Sequence, residues 1–326
     1  MSDQSTPLNH TNRGYTIAVI SAIFLSTTAI FIRHLTSNYQ LPALVLAMWR
    51  NVFVVCTLII AFLMINKNLL KIRSNHLIFL IFYGLVVSIF NSLWTLSVSI
   101  NGASVATVMI YCSAAFTVLL GWIFLKEQLT SVKGIAIILS LVGCVLVAGA
   151  YQPSMWNTNL AGISTGILSG LAYAIYSLMG RHAAQRGLSP WTTLLYSFGF
   201  AAFFLLIFNL IPGDFLIGKA VKAKDIFWLG NQMNGWLILF LLAAIPTLGG
   251  FGFYNVSLSY LPSSIANLIA TLEPAFTALF AYILLGERLT IIQLIGGLIT
   301  LAGVVFLRIF ETNKNRRKLF PLKIAK

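Results

Sequence analysis

The chain has 326 residues, 59% of them apolar and only 9% charged, with a formal net charge of +14. Soluble globular domains carry about a quarter charged residues, so this composition excludes them and points to a chain that crosses a membrane many times. Seven of the 21 Lys and Arg lie from Arg308 onward, and most others fall between apolar stretches. That is the pattern of orientation charge, with a tail suited to anionic headgroups, rather than a nucleic-acid surface.

Residues 1–13 are polar and read as a cytoplasmic N-terminal segment. No small-residue cleavage site follows the first apolar stretch, so a removable signal peptide is not expected. Ten stretches of roughly 19–25 residues follow, each long enough as a helix to cross ~30 Å of hydrocarbon. They are expected at about 14–32, 42–65, 77–98, 103–125, 131–150, 160–180, 190–211, 236–257, 263–285 and 291–310. The first ends at Arg33-His34, and the second holds Arg50 in its interior. The sixth carries Gly162, Gly166 and Gly170 at the spacing of a helix-packing ridge, followed by Tyr173 and Tyr176. Gly162 to Gly166 also fits a G-x-S-x-G nucleophile signature, but it opens a membrane span rather than a strand-turn-helix, so that reading is discarded. The loop 212–235 holds Phe215, Ile217, Phe227 and Trp228 among lysines and is expected to lie along the interface. Gly249 and Gly250 mark the eighth span as a flexible or close-packed point, a hinge during transport. The ninth places an acid directly before a helix breaker, Glu273-Pro274. Residues 311–326 read as a basic cytoplasmic tail. Cys56, Cys112 and Cys144 all fall inside spans, so neither a disulfide framework nor a metal site is suggested.

The ninth span has a twin. Shifting Ser263–Thr290 back by 160 residues lands on Ala103–Thr130, with 11 of 28 positions identical and no gap. The register continues upstream, pairing Trp94 with Tyr254, and a shift of 148 pairs Arg33-His34 with Arg181-His182. The chain is therefore a duplicated half, 14–150 and 160–310. Five spans per half is an odd number, so the halves must enter the bilayer in opposite orientation. The expected fold is an all-α membrane protein of ten transmembrane helices arranged as two inverted five-helix repeats. An even total puts both termini on one side. If that side is cytoplasmic, 15 Lys and Arg face inward and 5 outward, which favours cytoplasmic termini.

The paired helix ends Leu125, Glu127, Leu129, Thr130 and Leu285, Glu287, Leu289, Thr290 resemble those of the drug/metabolite transporter superfamily. The Thr271-Leu272-Glu273-Pro274 segment and the ten-span duplicated plan are similar to its EamA branch. The resemblance covers nearly the whole chain. It implies a multi-pass protein of the inner (plasma) membrane that exports or imports amino acids, other metabolites or drugs, with the third, fourth, eighth and ninth helices central. Many members of that branch carry a proline in the fourth span, near where this chain has Ser113-Ala114. The first half is accordingly expected to bend less there.

An ionised carboxylate at the centre of a membrane helix costs at least ~2.5 kcal/mol, so such acids usually face a bundle interior or a water-filled path. Pro274 removes one helical hydrogen bond and clashes with the carbonyl of Ala270, so a kink is expected at that depth. Glu273 suits a proton carrier or a partner for a substrate amine, or alternatively a structural acid bonded to a neighbouring helix. Arg50 lies at a similar depth, close enough to pair with Glu273. It suits a substrate carboxylate, or alternatively an ion pair or backbone carbonyls. Trp94, Tyr111, Tyr173, Tyr176 and Tyr254 are the aromatic candidates for a mixed polar and apolar cavity, with Pro274, Gly249 and Gly250 as hinges. The reading is a secondary transporter of a small organic metabolite, amino acids or related amphipathic compounds first. A lipid or drug flippase is the alternative, and an intramembrane lipid-modifying enzyme a more distant one. No catalytic residues, cofactor or metal are expected. The partners are a small-molecule substrate and the lipid bilayer, a homodimer being compatible and nucleic acid not expected.

Overall fold

In the computed structural model, residues 7–153, 160–212, 216–285 and 290–319 are described. The first span consists of two helices, α1 (Pro7–Leu25) and α2 (Thr28–Asn38), which meet at Ser26-Thr27. The second span is α3 (Ala43–Ile65). α4 (Leu77–Ile110) holds the third span and the start of the fourth, with helical geometry interrupted at Gly102 (φ 77°). That left-handed φ favours glycine, and it is where the chain reverses between the two spans. α5 (Ser113–Leu125) completes the fourth span, and α6 (Ser131–Val147), α7 (Leu160–Gln185) and α8 (Pro190–Leu210) follow. The eighth span is α9 (Met233–Leu242) and α10 (Leu248–Tyr260), joined by a π-helical turn. The ninth is α11 (Ser263–Ala270) and α12 (Glu273–Leu285), and α13 (Ile291–Leu319) is the tenth. Among the described residues nine helical stretches are long and apolar enough to span a membrane, and the 17-residue α6 is a shorter apolar helix that fits the tenth crossing. Two expected boundaries shift. α1 begins inside the segment read as polar, and α13 continues past the apolar stretch into the basic one.

The breaks have local causes. At the ninth span, α11 ends four residues before Pro274, as the missing amide and the ring clash dictate. There the ladder tightens to i→i+3 bonds, Thr271 N–H to Leu268 O and Leu272 N–H to Ile269 O, both 3.1 Å. The fourth span breaks at Tyr111-Cys112, 160 residues before Thr271-Leu272, although it has no proline. The expectation of a straighter first half is thus overturned. The same tightening occurs, with Cys112 N–H bonded to Met109 O at 3.2 Å and Ala114 N–H to Tyr111 O at 3.0 Å. α7 presses its glycine ridge on this break. A Cβ added at Gly170 would lie 2.9 Å from Ile110 O, and one at Gly166 only 2.3 Å from Met109 Sδ.

In the eighth span the close-packed alternative for the glycines fits, and the irregular turn lies elsewhere. That turn, Ala243–Thr247, is built around Pro246, and Thr247 Oγ1 donates to Leu242 O at 2.7 Å. Gly249 and Gly250 lie beyond it in regular helix, where they let α1 approach. A Cβ at Gly250 would meet Leu25 Cδ2 at 2.5 Å, and one at Gly249 would meet Phe24 Cδ1 at 3.0 Å. They are close-packed positions, and the irregular turn is the one that holds Pro246. In the long loop, Ile217, Phe227 and Trp228 are exposed as an interfacial segment requires, while Phe215 lies outside the described residues.

The most extensive helix pairs are α4 with α7, α6 with α13, α1 with α10, and α8 with both α3 and α4. Each joins the first sequence half to the second, so the halves interleave. The α6–α13 seam is closest at Gly143, where an added Cβ would lie 2.1 Å from Thr300 Oγ1 and 2.7 Å from Gly296 O. Gly134, on the same helix, has nothing within 4 Å of that position. Gly143→Ala should therefore lower stability by about 1–3 kcal/mol through overpacking, whereas Gly134→Ala should leave it unchanged or slightly raised. Thermal unfolding of the two purified variants checks the contrast.

Candidate functional site

Glu273 opens α12 immediately after the break in the ninth span, and Tyr111 ends the first part of the fourth. Tyr111 Oη donates to Glu273 Oε2 at 2.5 Å, and Glu273 as a residue is only 7% exposed. Two residues on, Ser113 Oγ donates to Asn267 Oδ1 at 2.9 Å. Asn267 Nδ2 in turn donates to Ser177 Oγ at 3.3 Å and Tyr254 Oη at 3.4 Å, and those two hydroxyls share a bond of 2.7 Å. Helices α5, α7, α10 and α11 thus contribute to one buried polar network beside the acid. Ser113 is the repeat position of Glu273, so the twin of the acid is itself a member.

Aromatic rings wall the network. Tyr173 lies 5.5 Å from Tyr254 and 5.2 Å from Phe90 between ring centroids, stacking on the latter. Tyr176 stacks on Tyr254 and meets Phe251 edge-on at 5.6 Å. The structure therefore brings together Glu273, Tyr111, Tyr173, Tyr176 and Tyr254. Trp94 is buried on α4 one turn beyond Phe90, and among the described residues no hydrogen bond or ring contact links it to the network. The open apolar grooves lie elsewhere, one of them lined by Val55, Ile59, Leu195, Phe200 and Phe203 on the outer flank of α3 and α8.

Two of the carbonyls at the breaks are taken up by side chains of other helices. Cys144 Sγ donates to Thr271 O at 3.4 Å, and Thr277 Oγ1 donates to Ser26 O at 2.7 Å, so the first span's break is tied to α12. An unpaired backbone group in hydrocarbon costs several kcal/mol, and these contacts remove that cost.

Arg50 does not pair with Glu273, which corrects the depth argument. Its Nη2 donates to Asn91 Oδ1 at 2.6 Å, Asn91 Nδ2 donates to Asn51 Oδ1 at 3.1 Å, and Asn51 Nδ2 donates to Ala47 O at 2.6 Å. The guanidinium is fully buried, and its Nε and Nη1 have no hydrogen-bonding partner among the described residues. Arg33 and Arg181 behave differently, resting on the carbonyls of Ser99 at 3.3 Å and Leu258 at 2.7 Å.

Sequence reasoning missed a second acid. Glu127, in the loop after α5, receives the backbone N–H of Ser263 at 2.7 Å and of Ser264 at 3.2 Å. It also receives both serine hydroxyls, that of Ser263 at 2.6 Å. Lys133 of α6, itself 4% exposed, donates to Ser264 Oγ at 2.8 Å and lies 3.9 Å from the Glu127 carboxylate. An anion at a helix N-terminus satisfies orphan amides and meets the positive end of the helix dipole. The acid was visible as part of a repeated helix end, but its partner lies 136 residues away and no local signal marks it. Asn267 and Asn91, polar residues inside apolar stretches, carried a signal that could have been read.

Three contacts fix how the broken spans lie. Tyr111 meets Glu273, Ser113 meets Asn267, and Glu127 at the far end meets Ser263. The fourth and ninth spans therefore run antiparallel past each other. The bundle, with helices broken around a buried acid, defines a multi-span membrane transporter. The chain belongs to the EamA-like transporter family, whose profile matches residues 12–149 and 160–309, one repeat each.

Two relatives match over nearly the full length and a third over about two thirds. An uncharacterized transporter of Clostridium kluyveri is 24% identical over 313 residues, covering 94% of this chain and 96% of its own. The uncharacterized inner membrane transporter YicL of Salmonella typhimurium is 24% identical over 319 residues, covering 95% and 99%. An uncharacterized transporter of Archaeoglobus fulgidus is 28% identical over 202 residues, 62% of this chain and 66% of its own. A solved crystal structure shares the fold with a TM-score of 0.68 at 14% identity, covering 92% of this chain and 98% of the other.

Glu127→Ala should destabilise the protein by about 1.5–3 kcal/mol, because it leaves the start of α11 without its charged acceptor. It should also speed maleimide labelling of a cysteine placed at Ser264. Thermal unfolding and labelling rates measure the two effects, and an unchanged labelling rate would show that the contact restrains nothing.

Proposed function

We propose that the protein is a secondary transporter of a small organic metabolite, amino acids or related amphipathic compounds first, working by alternating access around the Glu273 network. The observation that carries this reading is the carboxyl of Glu273 at a helix break, held by a single phenol and surrounded by the hydroxyls and rings of four other helices. A carboxyl so placed can exchange its one hydrogen-bond donor for a proton or a substrate amine as the bundle rearranges. Tyr111, Tyr173, Tyr176 and Tyr254 line the substrate pathway with it. Trp94 extends that wall along α4. Pro274 sets the bend of the ninth span.

The antiparallel fourth and ninth spans support an inverted arrangement of the two halves. With Glu127 tied to Ser263 and Ser264, the described conformation is closed on the face carrying the loop after α5. Opening that face requires this contact to part. In this reading both termini are cytoplasmic, the protein resides in the inner (plasma) membrane, and a gradient of substrate or protons supplies the energy.

Transport in proteoliposomes across an amino-acid and metabolite panel, with and without a pH gradient, tests the reading. Glu273→Gln should reduce gradient-driven uptake at least tenfold and flatten its pH dependence, while substrate exchange at equal pH falls less. Normal transport by this variant at every pH would remove the proton role. Movement of lipid or hydrophobic drugs alone, with no metabolite competing, would favour the flippase reading instead.

A further inference from the structure

The charge on Arg50 is unused by the network around Glu273. The acids whose side chains the structure describes are Glu127, Asp225 and Glu273. Glu127 is held by the start of α11 and Lys133, Asp225 by the backbone of Lys222 at 2.8 Å, and Glu273 by Tyr111. None forms an ion pair with Arg50, since the only ion pair among the described residues is Lys133–Glu127. Arg33 and Arg181, which are exposed or only partly buried, rest on backbone carbonyls. Arg50 instead engages one amide oxygen, and that amide is oriented by a second amide, itself anchored to Ala47 O. Such a chain fixes the plane of the guanidinium and leaves most of its five donors free.

The position is next to the aromatic wall. Asn91 shares a helix face with Trp94 by three-residue spacing, and Trp94 shares one with Phe90 by four. Phe90 stacks on Tyr173, and the wall continues through Tyr254 and Asn267 onto the helix that leads to Glu273. A cation fixed at one end of an apolar wall and a carboxyl at the other match a molecule with an anionic head and an apolar body.

We propose that Arg50, oriented by Asn91 and Asn51, is the subsite that takes the carboxylate of the transported molecule. This rests on the transporter reading and narrows it: the substrate class is an organic carboxylate and, where an amine also faces Glu273, an amino acid. The bundle must open around α3 and α4 to admit it, because the guanidinium is sealed in this conformation.

The experiment compares acids with their uncharged derivatives. Purified protein is challenged with the common amino acids, short-chain monocarboxylates and the methyl esters of both, with thermal stabilisation and proteoliposome uptake as readouts. Carboxylates should stabilise and be carried, and the methyl esters should be at least tenfold weaker in both. Arg50→Gln should erase that discrimination, and Arg50→Lys should keep part of it. Asn91→Asp covers the case in which loss of Arg50 prevents folding. It places a carboxylate against the guanidinium, so it should raise the unfolding temperature and reduce carboxylate uptake at least tenfold. Equal transport of acids and esters, unimpaired carboxylate uptake by Asn91→Asp, or stabilisation by no carboxylate would each overturn the assignment. The two readings fail separately. Carriage of uncharged solutes would sink the carboxylate subsite and leave the transporter standing, whereas no transport of any compound by folded protein would sink both.

Discussion

Hydrocarbon offers no water to a polar group, so each one inside this bundle must be answered by another part of the protein. That constraint explains why the irregular points cluster. Breaking a helix frees carbonyls, and here the hydroxyl of Thr277 and the thiol of Cys144 reach across to collect two of them. The acid exposed by one break is met by the phenol at the other. The interrupted first, fourth and ninth spans are tolerable only because they are interrupted where they can serve one another.

The two acids of the interior are held very differently. Glu127 accepts from two amides and two hydroxyls, and a lysine lies beside it. Glu273 accepts from one tyrosine. Charge-assisted bonds to a helix start resist disruption, whereas a single phenol is readily replaced by another donor. The contrast is between an acid fixed by several donors and one that rests on a single donor. The short α11 lies between the two.

Most of the architecture was legible in the chain itself. The apolar stretches gave the crossings, and the ungapped 160-residue repeat gave the duplicated plan, since hydrophobic length and self-similarity are local properties. Glu273, Tyr111, Tyr173, Tyr176 and Tyr254 could be picked out because polar or aromatic groups in such stretches stand against their surroundings. What remained hidden depends on distant partners. The fourth span breaks without proline because glycines on α7 let that helix press against its backbone, and nothing near Tyr111 announces it. Arg50 and Glu273 matched in depth but not in azimuth, and depth is all that counting along a helix provides. Pro246 was visible where the eighth span's irregular turn lies, and the neighbouring glycines drew the reading away from it.

The interleaving of the halves bears on how the molecule is made. α4 finds its main neighbours in α7 and α8, and α6 finds its own in α13. When the ribosome has delivered only the first repeat, Tyr111 has no carboxyl to meet, Glu127 has no serines, and the α6 seam is open to lipid. The most extensive packing of the early helices therefore forms only once the later ones are in place. Any quality-control protease that samples membrane proteins during synthesis would see this chain as unfinished almost to its final residue.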